Sequence, residues 1–122
     1  MSRTTEEWAT DNSLGSRLEG AVAALAISGA PMKERIKEAY SCVHCLRIDD
    51  FPEQYQADAE TVLNVIEKVE RIESRNLTYF NYGSLSTSEK KKWAAAVMKL
   101  FKVWNRHHGH HRPEEAPLHS YA

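Results

Sequence analysis

The sequence predicts an all-α fold, a small and mostly antiparallel bundle of about four helices. Three observations lead there. Apolar residues recur at spacings of three and four in four separate segments, and no segment carries a convincing strand alternation. Five glycines and four prolines are too few to give an all-β chain a turn residue at every reversal. At 122 residues the chain is long enough to bury one core and too short for two.

Residues 1–12 are polar with a single aromatic, Trp8, and form an N-terminal arm. This arm is either a short helical turn starting after Thr5 or a flexible segment that docks through the indole. The first helix spans Leu14 to Ser28, where Leu14, Leu18, Ala21, Val22, Leu25 and Ala26 mark one face. Gly29 supplies its C-terminal cap, and Pro31 suits the first turn of the next helix because its missing amide would be unbonded there. That second helix runs from about Pro31 to Leu46, with Ile36, Ala39, Tyr40, Val43 and Leu46 on one side. A loop follows through Phe51-Pro52, because the residue before proline is biased away from helix and two aspartates offer caps.

The third helix is expected from about Pro52 to Ser74, on the four-three alternation of Tyr55, Ala59, Val62, Ile66, Val69 and Glu73. Residues 75–85, with Tyr79, Phe80 and Tyr82, carry no helical period and read as an aromatic loop. Ser86-Thr87-Ser88-Glu89 matches a capping box and starts the last helix, whose stripe is Trp93, Val97, Leu100, Phe101 and Trp104. Gly109 and Pro113 mark its end. The helical domain is thus set at 13–106, with 107–122 as a flexible His-rich C-terminal tail.

Net charge is −1, but the charges are sorted along the chain. Residues 49–73 hold eight acids against Lys68 and Arg71, a balance of −6 that makes the third helix an acidic rod. Residues 86–112 hold seven bases against Glu89, a balance of +6. On a helical wheel Lys91, Lys92, Lys99, Lys102 and Arg106 share one arc of roughly 100°, opposite the apolar stripe. Two readings compete for that arc. Its charges pair with the neighbouring acidic helix, or they meet a phosphate backbone or an acidic protein surface.

Cys42, His44 and Cys45 are residue types that bind zinc, but a closed site needs four ligands and no second cysteine pair exists. Small buried core residues are the expected role of the two cysteines. His107, His108, His110, His111 and His119 complete such a site only if the tail folds back, so no metal and no cofactor is expected. No Ser-His-acid arrangement and no glycine-rich phosphate loop occurs, so catalysis is not expected either. Tyr79, Phe80 and Tyr82 are either an aromatic contact surface or the cap of the core.

The longest uncharged apolar stretch, from Ala21 to Pro31, falls short of the roughly 20 residues of a spanning helix, so no membrane association is expected. The acidic start after Met1 does not suit a secretory signal, and cysteines three apart suit a reducing compartment. A cytoplasmic location follows from these expectations.

Residues Pro31 to Tyr40, followed by Ile48-Asp49-Asp50-Phe51-Pro52-Glu53, resemble a pattern in short uncharacterised all-helical bacterial proteins. The last helix also begins where those proteins resume a helix, so the resemblance covers roughly two-thirds of the chain. The Cys-Val-His-Cys segment and the aromatic loop depart from it. The resemblance implies a bacterial or phage origin and supplies no activity. The expected function is therefore a non-catalytic interaction protein: a small subunit, adaptor or inhibitor docking on a larger protein complex, with defence or counter-defence as one setting. The alternative is a nucleic-acid-binding small subunit that uses the basic face of the last helix.

Overall fold

The computed structural model describes residues 2–27 and 29–111. Its elements are α1 (Thr5–Ala9), α2 (Asn12–Leu25), α3 (Met32–Val43), α4 (Gln56–Leu63), β1 (Glu70–Ser74), β2 (Leu77–Asn81) and α5 (Thr87–His111), with 3-10 turns at Ile48–Asp50, Glu53–Tyr55, Asn64–Glu67 and Tyr82–Ser84. The fold is mostly helical but not purely all-α, because β1 and β2 form a small antiparallel sheet.

The N-terminal arm contains α1. Thr4 and Glu7 form a reciprocal capping box that satisfies two amides at its start. Trp8 is fully buried, and its ring lies 5.0 Å from that of Tyr55 and 6.1 Å from that of Phe51. Next, Asp11 accepts from the Leu14 amide and caps α2. That helix ends at Leu25, three residues before the predicted limit, where Arg35 Nη1 donates to the Leu25 carbonyl at 3.2 Å. Gly29 adopts φ 90, a conformation that suits glycine, but it does so in the linker rather than as the helix cap.

The predicted third helix is the main correction. Helix α4 stops at Leu63, a 3-10 turn covers Asn64–Glu67, and Glu70 onward is strand. Pairing explains the strand: Glu70–Ser74 meets Leu77–Asn81 in register, and the β-branched Ile72 sits opposite Tyr79 there. The supposed acidic rod is therefore spread over five elements, three 3-10 turns, α4 and β1. The aromatic loop is corrected as well: Leu77 to Asn81 pair with β1, from Ser74 opposite Leu77 to Glu70 opposite Asn81, leaving Arg75-Asn76 as a two-residue turn.

The long helix α5 organises the core. Helices α1, α2 and α4 all pack on it, and α2 packs on α3. Leu14, Leu18, Ile36 and Leu100 are essentially inaccessible, and each such burial contributes roughly 1.5–3 kcal/mol. Two tryptophans of α5 fix its neighbours: Trp93 Nε1 donates to the Val62 carbonyl and Trp104 Nε1 to the Trp8 carbonyl, both at 3.0 Å. Helix α5 does not end at the predicted domain boundary of 106. His108 stacks on Trp104 with centroids 4.5 Å apart, and its Nδ1, 2.8 Å from the Ala9 carbonyl, carries the proton because a carbonyl only accepts. His107 Nε2 lies 3.3 Å from Tyr55 Oη. His107 and His108 thus belong to the folded unit, while 112–122 of the predicted tail lie outside the described residues.

Candidate functional site

Helix α5 carries its apolar stripe inward, which turns the predicted basic arc outward. Lys91, Lys92, Lys99, Lys102 and Arg106 are all exposed. Beside them runs an open groove of about 600 Å³, lined by Tyr55, Ala95, Met98, Lys99, Lys102, Val103 and Arg106. It continues toward Asp58, Thr61 and Lys92 on the α4 side. Met98 is 42% exposed, a large apolar side chain open to water between cations. Sequence reading singled out the cations and missed this lining, although Met98 stands on the solvent side of the wheel and Tyr55 sits on the predicted face of the neighbouring helix.

Among the described residues, internal neutralisation of the arc is slight. Lys99 Nζ lies 3.0 Å from Asp58 Oδ2, an ion pair across α4 and α5. Among the described residues, Lys91, Lys92, Lys102 and Arg106 have no carboxylate within 4.0 Å. Glu89 lies on the same helix, but it is engaged in the capping box: Ser86 and Glu89 exchange bonds of 2.9 and 3.0 Å. Those backbone and side-chain bonds from Ser86 hold the Glu89 carboxyl below its ordinary range.

The aromatic triplet is divided rather than gathered. Tyr82 is buried beside Tyr40, and burial pushes both phenols up. Tyr79 and Phe80 point to opposite faces of β2 and are 51% and 39% exposed. Tyr79 shares its face with Ile72 and Leu77, which are also exposed, so one face of the hairpin is an uncovered apolar surface.

Cys45 is exposed at the end of α3, which corrects its expected place in the core, and Cys42 is half-buried against Gly20. The helix stops at Val43, so only the first thiol remains on the packed side. His44 Nδ1 lies 3.0 Å from the Ser41 carbonyl. Among the described residues no three His, Cys, Asp or Glu side chains are grouped to hold a metal ion, and no helix is long and apolar enough to cross a membrane.

No family model, curated protein or solved structure matches the chain. The functional reading therefore rests on its own surfaces.

Proposed function

We propose that this protein is a non-catalytic interaction protein, a small subunit, adaptor or inhibitor that seats the α5 groove on an acidic, partly apolar segment of a larger protein. The groove carries the reading. Lys99, Lys102 and Arg106 succeed one another at spacings of three and four, and like charges at such spacings oppose the helix by about 0.2–0.5 kcal/mol per pair. An acidic partner relieves that repulsion. The apolar floor of Met98 and Val103 gives it surface to bury at roughly 25 cal/mol per Å².

The second reading, a nucleic-acid-binding small subunit, is favoured by the single arc that gathers Lys91, Lys92, Lys99, Lys102 and Arg106. Phosphates satisfy those charges but leave the Met98 floor unused, which ranks this reading second.

One pair of variants separates the two. Lys102 and Arg106 have no carboxylate within 4.0 Å among the described residues, so reversing both to glutamate should leave the helical circular-dichroism signal and melting temperature intact. A protein captured from the native host by wild type, shown to bind directly after purification and lost with K102E/R106E, supports the first reading. Sub-micromolar binding to random duplex or single strands, falling steeply with salt and abolished by the same reversal, supports the second. Capture that persists after the reversal rejects the groove for both.

A further inference from the structure

The hairpin of β1 and β2 is the part of the fold that the other described residues leave uncovered. All ten strand residues are exposed, and among the described residues β2 pairs with β1 alone. A two-stranded ribbon is marginally stable in water unless another surface covers it. The two open edges differ in kind. Strand β1 reads Glu-Arg-Ile-Glu-Ser, a charged edge of the sort that resists further pairing. Strand β2 reads Leu-Thr-Tyr-Phe-Asn, with no charge, proline or glycine.

We infer that β2 is a homodimerisation edge, joining two copies of this chain through an antiparallel β2–β2 pair into a four-stranded sheet. The register makes the edge complementary to itself. A two-residue turn makes Ser74 and Leu77 a hydrogen-bonded pair, so Ile72 and Tyr79 form the next such pair along the ladder. Thr78 and Phe80 alternate with them and turn their amides and carbonyls away from β1. Across a two-fold axis at Tyr79, Thr78 of one copy faces Phe80 of the other, twice. Each of these pairs exchanges both backbone bonds.

The axis then sets Tyr79 against the second copy's Tyr79 in the closer, non-hydrogen-bonded spacing. On that face Ile72 flanks each tyrosine from β1, so an apolar row of four side chains crosses the sheet. Tyr79 is 51% exposed in the single chain, and the second copy's tyrosine becomes its new neighbour across the axis. Charge selects the same edge. Two β2 strands meet without repulsion, whereas two β1 strands bring Glu70, Arg71 and Glu73 together. One edge pair falls short of the roughly 800 Å² per partner of a standard stable complex, so the dimer is concentration-dependent.

The test uses the full chain in sedimentation equilibrium across a concentration series. Wild type is expected to pass from monomer to dimer. In Thr78→Pro an outward amide is removed while the inward ladder to β1 keeps its bonds, and in Tyr79→Glu like charges meet on the axis. Each should raise the dimer dissociation constant at least about tenfold with the helical signal unchanged. Register is read by cysteine cross-linking in a Cys42→Ser/Cys45→Ser background. Tyr79→Cys should form a disulfide-linked dimer, and Ile72→Cys, two strands further apart, should not. A wild type monomeric throughout the series overturns the proposal, as does a dimer that T78P and Y79E leave intact or equal cross-linking at both positions. Groove variants K102E/R106E should leave dimerisation unchanged, so the test fails or succeeds independently of the proposed function.

Discussion

At the scale of single residues, the least legible feature is Gly15. In sequence it is a glycine one residue after Leu14, in the first turn of a helix, with nothing to single it out. In the structure it is buried, and the six-membered ring of the Trp104 indole lies where its Cβ would be. That contact joins residues 89 positions apart, so no local pattern announces it. Gly15→Ala should destabilise the fold by roughly 1–3 kcal/mol, because overlap with a buried ring outweighs the preference of helices for alanine. Gly109 in α5 is the internal contrast, with open space around its missing Cβ. Gly109→Ala should stabilise by up to about 1 kcal/mol. Urea midpoints of the two variants should move in opposite directions, and a shared direction would show that helix propensity alone decides both.

Among the elements, legibility tracked how local the signal was. The capping box of α5 was readable because Ser86 and Glu89 sit three apart before an apolar stripe, and both bonds are present. The same spacing in Thr4 and Glu7 went unread, since five residues of helix carry no periodicity of their own. Strand β1 was hidden for another reason. Val62, Val65, Ile66 and Val69 carry a helix spacing up to its first residue, and Glu70–Ser74 becomes strand by pairing with Leu77 to Asn81, which local spacing does not contain. The turn adds a cost of its own: Arg75 sits at φ 56, where a side chain is strained by roughly 1 kcal/mol. Arg75→Gly should therefore slow hydrogen exchange at the paired Ile72 and Tyr79 amides by up to about fivefold. Unchanged exchange there would mean that the turn does not limit the hairpin.

For the whole molecule, the groove was only half visible from sequence, because its cations lie on one helix while Tyr55 and Asp58 come from another part of the chain. The same long-range logic governs how the chain's start is fastened. Arg3 Nη1 lies 2.6 Å from Asp11 Oδ2, and Nη2 lies 3.6 Å from Asp50 Oδ1, so one guanidinium ties the arm to the α2 cap and to the turn before α4. Burial acts to raise the Asp11 carboxyl, but the Arg3 bond and the helix amides of Leu14 and Ser13 outweigh it and hold the group below its ordinary range. A depressed carboxylate stabilises the fold above the unfolded-state value and loses that contribution as pH falls through the folded one. Glu7 and Glu89 are lowered by their capping boxes and act in the same direction. Arg3 is raised by its bond to Asp11, so the guanidinium stays charged throughout this range and the pair is lost in acid through protonation of Asp11. Melting temperature should therefore hold between about pH 7 and pH 5 and fall below about pH 4. Asp11→Asn isolates the charge, because asparagine still caps the Leu14 amide while the ion pair with Arg3 is gone. That variant should melt lower than wild type at neutral pH and lose less on acidification, so the two curves converge; parallel curves would remove Asp11 from the acid response.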